Sequence, residues 1–386
     1  MSVGRVTARG CPHFPECPGC PLVDQPYARQ LAHKRARVEA ALAPGRAASG
    51  AELLPVVAAP APEGYRVQTK LVVRAARRGL VLGLYRPGTH EVRDACGCPL
   101  HAAAIRRALP ILRAELERAQ VPIHGPGRRG LRYVLVRASL LTRRLMVTLV
   151  ASALAAAQAD RLARALARRL PLAGLALNEN ATSGNEILGP RTRLVHGAAV
   201  LAERYGRLVL AAGPTAFVQA NTVMAGRIYR TIATAAGLTG RERVLDLYAG
   251  VGGIALTLAP RAAAVLGVEE VAAAVGAARR NARRNRLPHA RFAAGLVEER
   301  VRHLAPGSID LVSMNPPRKG CGAGVARALA ALGAPRLLYL SCSPESFARD
   351  AEAFAGAGYA LTRVQPFDLL PQTEHVELLG SFARRD

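Results

Sequence analysis

The stretch RVLDLYAGVGG, residues 243–253, decides the fold of this 386-residue chain. Its first five residues predict a short buried strand, and the glycines that follow let the chain turn sharply and approach a ligand closely. About twenty residues after Asp246, Glu269 stands at the end of the next predicted strand, where a carboxylate can accept both hydroxyls of an adenosine ribose. This combination predicts a Rossmann-like nucleotide site.

The same glycine pattern argues against two kinds of ligand. Gly250, Gly252 and Gly253 are followed by Ile254 and Ala255, so the dinucleotide spacing G-x-G-x-x-G is absent. The chain also lacks the G-K-[ST] sequence that cradles a triphosphate. The stretch therefore indicates a methyltransferase domain that binds S-adenosylmethionine (SAM).

The predicted elements differ between the two halves of the chain. From residue 243 onward, short apolar runs alternate with helical stretches, which is typical of a parallel α/β sheet. The first half combines hairpins with helices, which indicates an α+β domain, and the Ala/Pro-rich segment Ala40–Pro62 is expected to be flexible. We expect an α+β domain over residues 1–208 and a Rossmann-like SAM-dependent methyltransferase domain over residues 209–386.

The charge of the chain favours a polyanionic partner. Lys and Arg number 53 against 27 Asp and Glu, for a formal net charge of +26. A GC-rich genome would raise Arg and Ala together, but Glu could have risen with them. Nucleic acid is thus the first interpretation and an anionic membrane the second. No stretch approaches the ~18 apolar residues of a spanning helix, and no signal peptide is recognisable, so we expect a cytoplasmic protein.

Two candidate catalytic residues follow predicted strands. Cys342 comes directly after the run RLLYLS, at the sheet edge that carries the glycine turn. A lone cysteine there is more often inert than nucleophilic, but Arg318 is expected nearby, and a cation lowers the pKa of a thiol. Cys321 is the rival thiol. Glu377 begins the last strand on the same face as His375, where the alternative is a solvated strand residue.

A cysteine and a glutamate at one site suit methylation of uracil. Carbon 5 of uracil is a poor nucleophile, but addition of a thiolate at carbon 6 makes carbon 5 resemble an enolate that can attack the methyl group of SAM. A base must then remove the proton from carbon 5 so that the thiol can leave. Asn315-Pro316-Pro317 precedes Arg318 rather than the aromatic residue typical of exocyclic amino-methyltransferases, which disfavours that chemistry.

These residues lie in segments that resemble the RNA (uracil-5)-methyltransferases, especially the short bacterial 23S rRNA enzymes that lack an N-terminal TRAM domain. The resemblance covers nearly the whole chain, and its most specific feature is the cysteine followed by H-x-E. The segments are AFVQAN (216–221), DLYAGVGG (246–253), GVEE (267–270), NPPRKG (315–320), YLSCSPESFARD (339–350) and QTEHVELL (372–379).

The resemblance also implies roles for residues. Cys342 would be the nucleophile and Glu377 the base that removes the proton, acting on RNA, most of all 23S rRNA, in a monomer without an obligate protein partner. The residues implied to line the SAM site are Gln219, Tyr248, Glu269 and Asn315. A tRNA uracil-5 methyltransferase, a catalytically silent iron–sulfur RNA-binding protein and an N-methyltransferase remain alternatives.

A cysteine cluster near the N-terminus predicts a metal centre. Cys11, Cys17 and Cys20, together with a distant fourth cysteine, have the spacing of a four-cysteine site for zinc or an iron–sulfur cluster. The spacing alone slightly favours zinc, whereas the family resemblance implies a [4Fe–4S] cluster. We expect the fourth ligand to be Cys98 rather than its neighbour Cys96.

Overall fold

The computed structural model describes residues 11–182, 184 and 186–385. Its helices are α1 (Tyr27–Leu42), α2 (Ala103–Arg118), α3 (Ala156–Arg169), α4 (Thr222–Ala236), α5 (Gly253–Leu258), α6 (Ala272–Arg284), α7 (Val297–Arg302), α8 (Gly322–Leu332) and α9 (Pro344–Gly356). Its strands are β1 (Glu52–Leu53), β2 (Gln68–Ala76), β3 (Gly79–Tyr85), β4 (Val92–Asp94), β5 (Leu131–Ala138), β6 (Leu145–Ala151), β7 (Leu172–Glu179), β8 (Arg191–Gly197), β9 (Leu201–Tyr205), β10 (Leu208–Ala212), β11 (Arg243–Leu247), β12 (Ala264–Glu269), β13 (Ala290–Ala294), β14 (Leu311–Met314), β15 (Arg336–Ser341), β16 (Tyr359–Phe367) and β17 (Glu377–Arg384).

The chain forms two units, each assembled from separate stretches. The N-terminal unit comprises Met1–Pro26, Ala61–Glu203 and Ala212–Asn221, and the C-terminal unit comprises Tyr27–Pro60, Arg204–Ala211 and Thr222–Asp386. The chain therefore passes between the units several times, rather than once at the expected boundary after residue 208. The stretch that contains α1 belongs to the C-terminal unit, although we expected it in the first domain.

The N-terminal unit is built on one mixed sheet. Its strands lie in the order β4-β3-β2-β5-β6-β7-β8, and the β6–β7 pair is parallel while the other pairs are antiparallel. Two expected hairpins, β2–β3 and β5–β6, are confirmed. Helices α2 and α3 pack against the sheet, and Leu109, Leu149 and Leu162 belong to one buried cluster. This is the expected α+β arrangement.

The C-terminal unit is a doubly wound α/β sheet. Its strands lie in the order β1-β16-β17-β15-β14-β11-β12-β13, and β17 is antiparallel to both of its neighbours. Along β11, Val244 belongs to one buried cluster and Leu245 to another, so the two faces of the sheet are covered by separate cores. The sequence correctly predicted the parallel strands but did not predict β16.

Strand β11 lies where the order of the strands reverses. The chain continues from β11 to β12 and β13 on one side, and then adds β14 and β15 on the other. Such a reversal opens a crevice at the carboxyl ends of the strands, which is where open α/β sheets bind their ligands. The candidate catalytic residues of this unit follow the same ends.

The segment Ala40–Pro62 is structured rather than flexible. Strand β1 extends the large sheet beside β16, and Leu54 and Val57 donate further backbone hydrogen bonds to Val364 and Pro366, at 3.0 and 2.9 Å. Proline and alanine therefore gave a misleading signal here, because a short edge strand needs few backbone partners. Among the described residues, no helix is both long and apolar enough to cross a membrane.

Candidate active site

The register of two strands brings the candidate nucleophile and base together. Ser341 of β15 pairs with Leu378 of β17, and Leu340 pairs with Leu379. Cys342 directly follows Ser341, and Glu377 directly precedes Leu378, so both residues adjoin the last pair of this antiparallel ladder. The charge of Glu377 acts on the thiol of Cys342, which shows that the two groups are close.

Burial sets the protonation of both groups. It raises the pKa of Glu377 to about 7, because a carboxylate is poorly solvated there. Burial also raises the pKa of Cys342, and the Glu377 carboxylate raises it further, whereas Arg318 lowers it. The expectation of a lowered thiol pKa is therefore wrong: Arg318 has the predicted influence, but burial outweighs it.

The glycine loop is anchored from beneath by Asp246. One carboxylate oxygen accepts a hydrogen bond from the Ala255 amide at 2.9 Å, and the other accepts one from the Ser313 hydroxyl at 2.6 Å. Burial raises the pKa of Asp246 to about 7, although both hydrogen bonds oppose that rise. Asp246 thus ties β11 to β14 and to the start of α5, a structural role that the sequence did not reveal.

The upper part of the loop forms an open cradle beside Glu269. Tyr248 adopts a left-handed backbone at φ +58°, which is uncommon for a residue with a side chain and turns the chain out of β11. Gly250 also has a positive φ, and no described atom lies within 4 Å of the position that a Cβ would take there. The Glu269 carboxylate accepts from the amides of Gly250 and Val271 at 3.0 and 2.9 Å. The space above Gly250 and the fixed carboxylate fit the ribose end of SAM.

Asn315 stands beside this loop at the end of β14. The backbone amide of Asn315 donates to the carbonyl of Leu247 at 3.3 Å. Asn315 and Tyr248 therefore follow the ends of neighbouring strands and lie at the same height along the sheet. The loop that follows is fixed by α9: the Ser346 hydroxyl donates to the Arg318 carbonyl at 2.6 Å, and Asp350 accepts from the Cys321 amide at 2.9 Å. The predicted crevice residues Tyr248, Glu269, Asn315, Cys342 and Glu377 are therefore all carried by one edge of one sheet.

Gln219 is placed differently from the other residues implied for SAM. It lies after β10 in the stretch Ala212–Asn221, which belongs to the N-terminal unit, and it is half-buried. The loop before it is held within that unit, because Arg137 donates to the carbonyls of Gly213 and Ala216 at 3.1 and 2.8 Å. The side-chain amide of Gln68 also donates to this loop, to the carbonyl of Val218 at 2.9 Å.

Helix α1 fixes the segment that leads to Glu377. The fully buried Lys34 forms an ion pair with Asp368, and the Gln30 amide donates to the side chain of Gln372 at 2.8 Å. Tyr27 also donates to Asp368, at 2.7 Å. No local pattern predicts these contacts, because more than 330 positions separate the partners.

The four expected metal ligands line one cavity of the N-terminal unit. Cys11, Cys17, Cys20 and Cys98 all border a cavity of about 280 Å³, together with Arg66, and Cys96 is not part of its lining. Burial raises the pKa of Cys20 to about 12, against the influence of Arg66. Within the described part of the chain, no group of three or more His, Cys, Asp or Glu side chains is arranged to hold a metal ion.

A second cavity of the same unit, about 240 Å³ in volume, presents an exposed aromatic ring. Its lining includes Lys70, Arg137 and Phe217, and Phe217 is 73% exposed. Phe217 sits on the loop whose carbonyls Arg137 and Gln68 hold, so the ring is presented by a fixed backbone. An exposed ring beside two cations is the arrangement that binds unpaired nucleotides by stacking and charge.

The chain matches the family model described as tRNA (Uracil-5-)-methyltransferase over residues 139–385. It is 38% identical over 389 residues to an uncharacterized RNA methyltransferase of Geobacter sulfurreducens, an alignment that covers 100% of this chain and 79% of the relative. It is 33% identical to one of Thermosynechococcus vestitus, with 95% and 82% covered. Among solved structures, Pyrococcus abyssi tRNA (uracil-54, C5)-methyltransferase in complex with S-adenosyl-L-homocysteine has a TM-score of 0.78 and 25% identity, and covers 96% of this chain and 86% of its own.

The doubly wound sheet, its glycine loop at the reversal of strand order and these matches define a SAM-dependent RNA methyltransferase. The chain belongs to the RNA (uracil-5)-methyltransferase family.

Proposed function

We propose that this enzyme transfers the methyl group of SAM to carbon 5 of one uridine in 23S rRNA. The observation that carries the proposal is the pairing of Ser341 with Leu378, which brings the adjoining Cys342 and Glu377 together at the strand ends that also carry the glycine loop. A nucleophile and a base at one sheet edge match the two steps that methylation of uracil carbon 5 requires.

Cys342 performs the first step. Its thiolate adds to carbon 6 of the uracil, so a sulfur–carbon bond forms and the electron pair of the ring double bond moves to carbon 5 and the neighbouring carbonyl. Bound SAM supplies an electrophilic methyl group on a sulfonium cation. Carbon 5 takes that methyl group, and S-adenosylhomocysteine leaves with the electron pair of the broken bond. The raised pKa of Cys342 makes the thiolate a minor form even with Arg318 nearby, and the positive charge of the bound cofactor would favour the thiolate further.

Glu377 performs the second step. Its carboxylate accepts the proton of carbon 5, the ring double bond forms again, and the bond between carbon 6 and sulfur breaks to release Cys342. A pKa near 7 suits this task, because a base whose pKa lies near the working pH is both available and strong enough. The proton passes from Glu377 to water, and 5-methyluridine remains in the RNA.

We assign the cofactor to the crevice at the carboxyl ends of β11, β12 and β14. Glu269 would bind the ribose, Tyr248 would pack against the cofactor, and Asn315 would offer its side-chain amide. The open cradle above Gly250 and the carboxylate fixed beside it support this assignment. The Glu269 oxygens each accept one backbone hydrogen bond and keep lone pairs for the ribose hydroxyls.

We also propose that Cys11, Cys17, Cys20 and Cys98 bind a [4Fe–4S] cluster. Four thiols around one cavity in the same unit fit the donor set of such a cluster, and Arg66 would offset part of its negative charge. A single zinc ion requires its ligands to converge on one point, whereas the corners of a cubane cluster hold them further apart. The preference for a cluster over zinc rests on the family resemblance, since the cysteine spacing alone fits both.

The substrate has two candidates. The cysteine cluster and the resemblance to the short bacterial enzymes favour 23S rRNA. The tRNA substrate named for the Pyrococcus abyssi structure, which matches 96% of this chain, favours tRNA as the second candidate. The two differ only in where the target uridine is found, and in both the base must leave its stack so that Cys342 can reach carbon 6.

The test uses unmodified transcripts of 23S rRNA and of tRNA, incubated separately with the full chain and methyl-labelled SAM, then digested to nucleosides. Labelled 5-methyluridine from 23S rRNA is the expected result. Label in tRNA alone selects the second candidate, and label in another nucleoside contradicts the reaction. Cys321→Ala is the matched control: it should keep activity, whereas Cys342→Ala should abolish it.

A further inference from the structure

The hydroxyl of Tyr229 occupies the place that a side chain at position 253 would take. A Cβ built on Gly253 would lie 2.3 Å from the hydroxyl oxygen and 2.8 Å from the ring carbon that bears it. Tyr229 belongs to α4, whereas Gly253 ends the glycine loop and begins α5. Helix α4 therefore supplies the polar group at a point where the loop itself has no side chain.

The hydroxyl of Tyr229 is available to donate to a ligand. Tyr229 is half-buried, and its hydroxyl forms no hydrogen bond with any residue in the described part of the chain. A tyrosine hydroxyl in such a position is completed by water or by a ligand. Here Asp246, the nearest anchor of the loop, already accepts from Ala255 and Ser313.

The packing of α4 and the charges near Tyr229 describe the position and protonation of its hydroxyl. Burial raises its pKa far above the ordinary value, and Tyr205, Asp246 and Glu377 raise it further. The hydroxyl is therefore protonated and can donate. Helix α4 packs against α5 and against β15, the strand that Cys342 follows, while Glu269 lies on β12, across β11 from β15.

We propose that Tyr229 donates a hydrogen bond to the α-carboxylate of the methionine moiety of SAM. This inference rests on the cofactor assignment made above. If the ribose binds at Glu269 and the methyl group points towards Cys342, the amino-acid part of SAM would extend to the side of the loop that faces Tyr229. Its carboxylate is the strongest acceptor of the cofactor, and a phenol hydroxyl is a matched donor that adds no charge beside Glu377.

The experiment compares two ligands by isothermal titration calorimetry with the full chain. S-adenosylhomocysteine contains the carboxylate, and 5′-methylthioadenosine contains the adenosine and sulfur without it. Tyr229→Phe should weaken binding of S-adenosylhomocysteine by about tenfold or more, the size expected for a hydrogen bond to a charged group, and leave binding of 5′-methylthioadenosine unchanged.

Tyr359→Phe is the matched control. The Tyr359 hydroxyl donates to the carbonyls of Leu329 and Ala334, which precede the start of β15, whereas Cys342 follows the other end of that strand. This variant should keep wild-type affinity for both ligands. Equal losses of both ligands in Tyr229→Phe would mean that the ring only packs the loop, and unchanged affinity would mean that the hydroxyl does not reach the cofactor; each overturns the inference. Failure of the wild-type chain to bind S-adenosylhomocysteine would instead reject the cofactor assignment.

Discussion

At the scale of single residues, Cys342 and Glu377 should fail in different ways. Glu377→Gln keeps nearly the same shape but cannot accept a proton, so Cys342 still adds to uracil and the methyl group still transfers. The adduct cannot eliminate, because carbon 5 keeps its proton. We expect a covalent protein–RNA complex that carries the labelled methyl group and survives denaturing electrophoresis.

Two other outcomes would contradict this order of steps. Normal turnover by Glu377→Gln would show that another residue removes the proton, with His375 the first candidate. Absence of both product and adduct would place Glu377 before methyl transfer. Cys342→Ala, which cannot form the adduct, is the negative control on the same gel.

Glu377 should also make the stability of the protein depend on pH. Its pKa rises from 4.5 to about 7 on folding, so between these values the folded state binds more protons than the unfolded chain and stability falls as pH rises. The shift corresponds to roughly 3 kcal/mol. Glu377→Gln removes this pH-dependent contribution to stability. The melting temperature of the variant minus that of the wild type should therefore increase from pH 5 to pH 8. A difference that stays constant over this range would show that Glu377 is ionised at pH 5.

The cysteines allow a matched pair of substitutions. If the proposed cluster forms, anaerobically purified protein should be brown, with about four irons per chain. Cys98→Ala should lose the colour and iron, because Cys98 lines the cavity, whereas Cys96→Ala should keep both. Iron content and the visible spectrum are the measurements. Zinc without iron, or loss in Cys96→Ala alone, would contradict the assignment.

At the scale of elements, α1 should stabilise the segment that leads to β17. Lys34→Ala leaves Asp368 buried without its cation, and breaking a buried pair typically costs about 3–5 kcal/mol. We therefore expect a clear drop in the melting temperature together with a loss of methyl transfer, since the start of β17 carries Glu377. The control is Arg35→Ala on the same helix. Its ion pair with Glu39 is exposed and should contribute at most about 0.5 kcal/mol. Equal effects of the two substitutions would reject this role for α1.

The sequence predicted some elements well because their signal is local. The glycine turn after β11 and the apolar runs of β12, β14 and β15 could be recognised from neighbouring residues alone. Strand β16 was missed because its sequence, YALTRVQPF, mixes charge and proline into the run, and its place beside β17 depends on a distant strand. The role of α1 is likewise a long-range property that no local pattern encodes.

The candidate site shows the same division. The residue types at 269, 342 and 377 indicated their chemistry, and the strand ends brought them to one edge. The pKa of Cys342 could not be predicted in the same way, since it depends on how deeply the thiol is buried relative to Arg318. Tyr229 was not singled out either, because its meaning depends on the space that Gly253 leaves.

At the scale of the whole molecule, the net charge of +26 should dominate the affinity for RNA. Arginines and lysines that contact phosphates release counterions, so the observed affinity should fall as salt is added. With about five phosphate contacts, the log–log slope should be roughly −3.5 for single-stranded RNA. A slope near zero, measured by fluorescence anisotropy at several salt concentrations, would remove the polyanion interpretation.

Two residues that line the cavity beside Phe217 allow the contributions of charge and of stacking to the RNA affinity to be measured separately. Lys70→Gln removes one cation, so the slope should become shallower by about 0.7 while the salt-independent part of the affinity stays the same. Phe217→Ala removes an exposed ring and no charge, so it should weaken binding by about 1–3 kcal/mol at every salt concentration and leave the slope unchanged. Because the two residues line one cavity, RNA bound there must respond to both substitutions in these distinct ways. A change of slope in Phe217→Ala, or no effect of either variant, would mean that the RNA binds another surface.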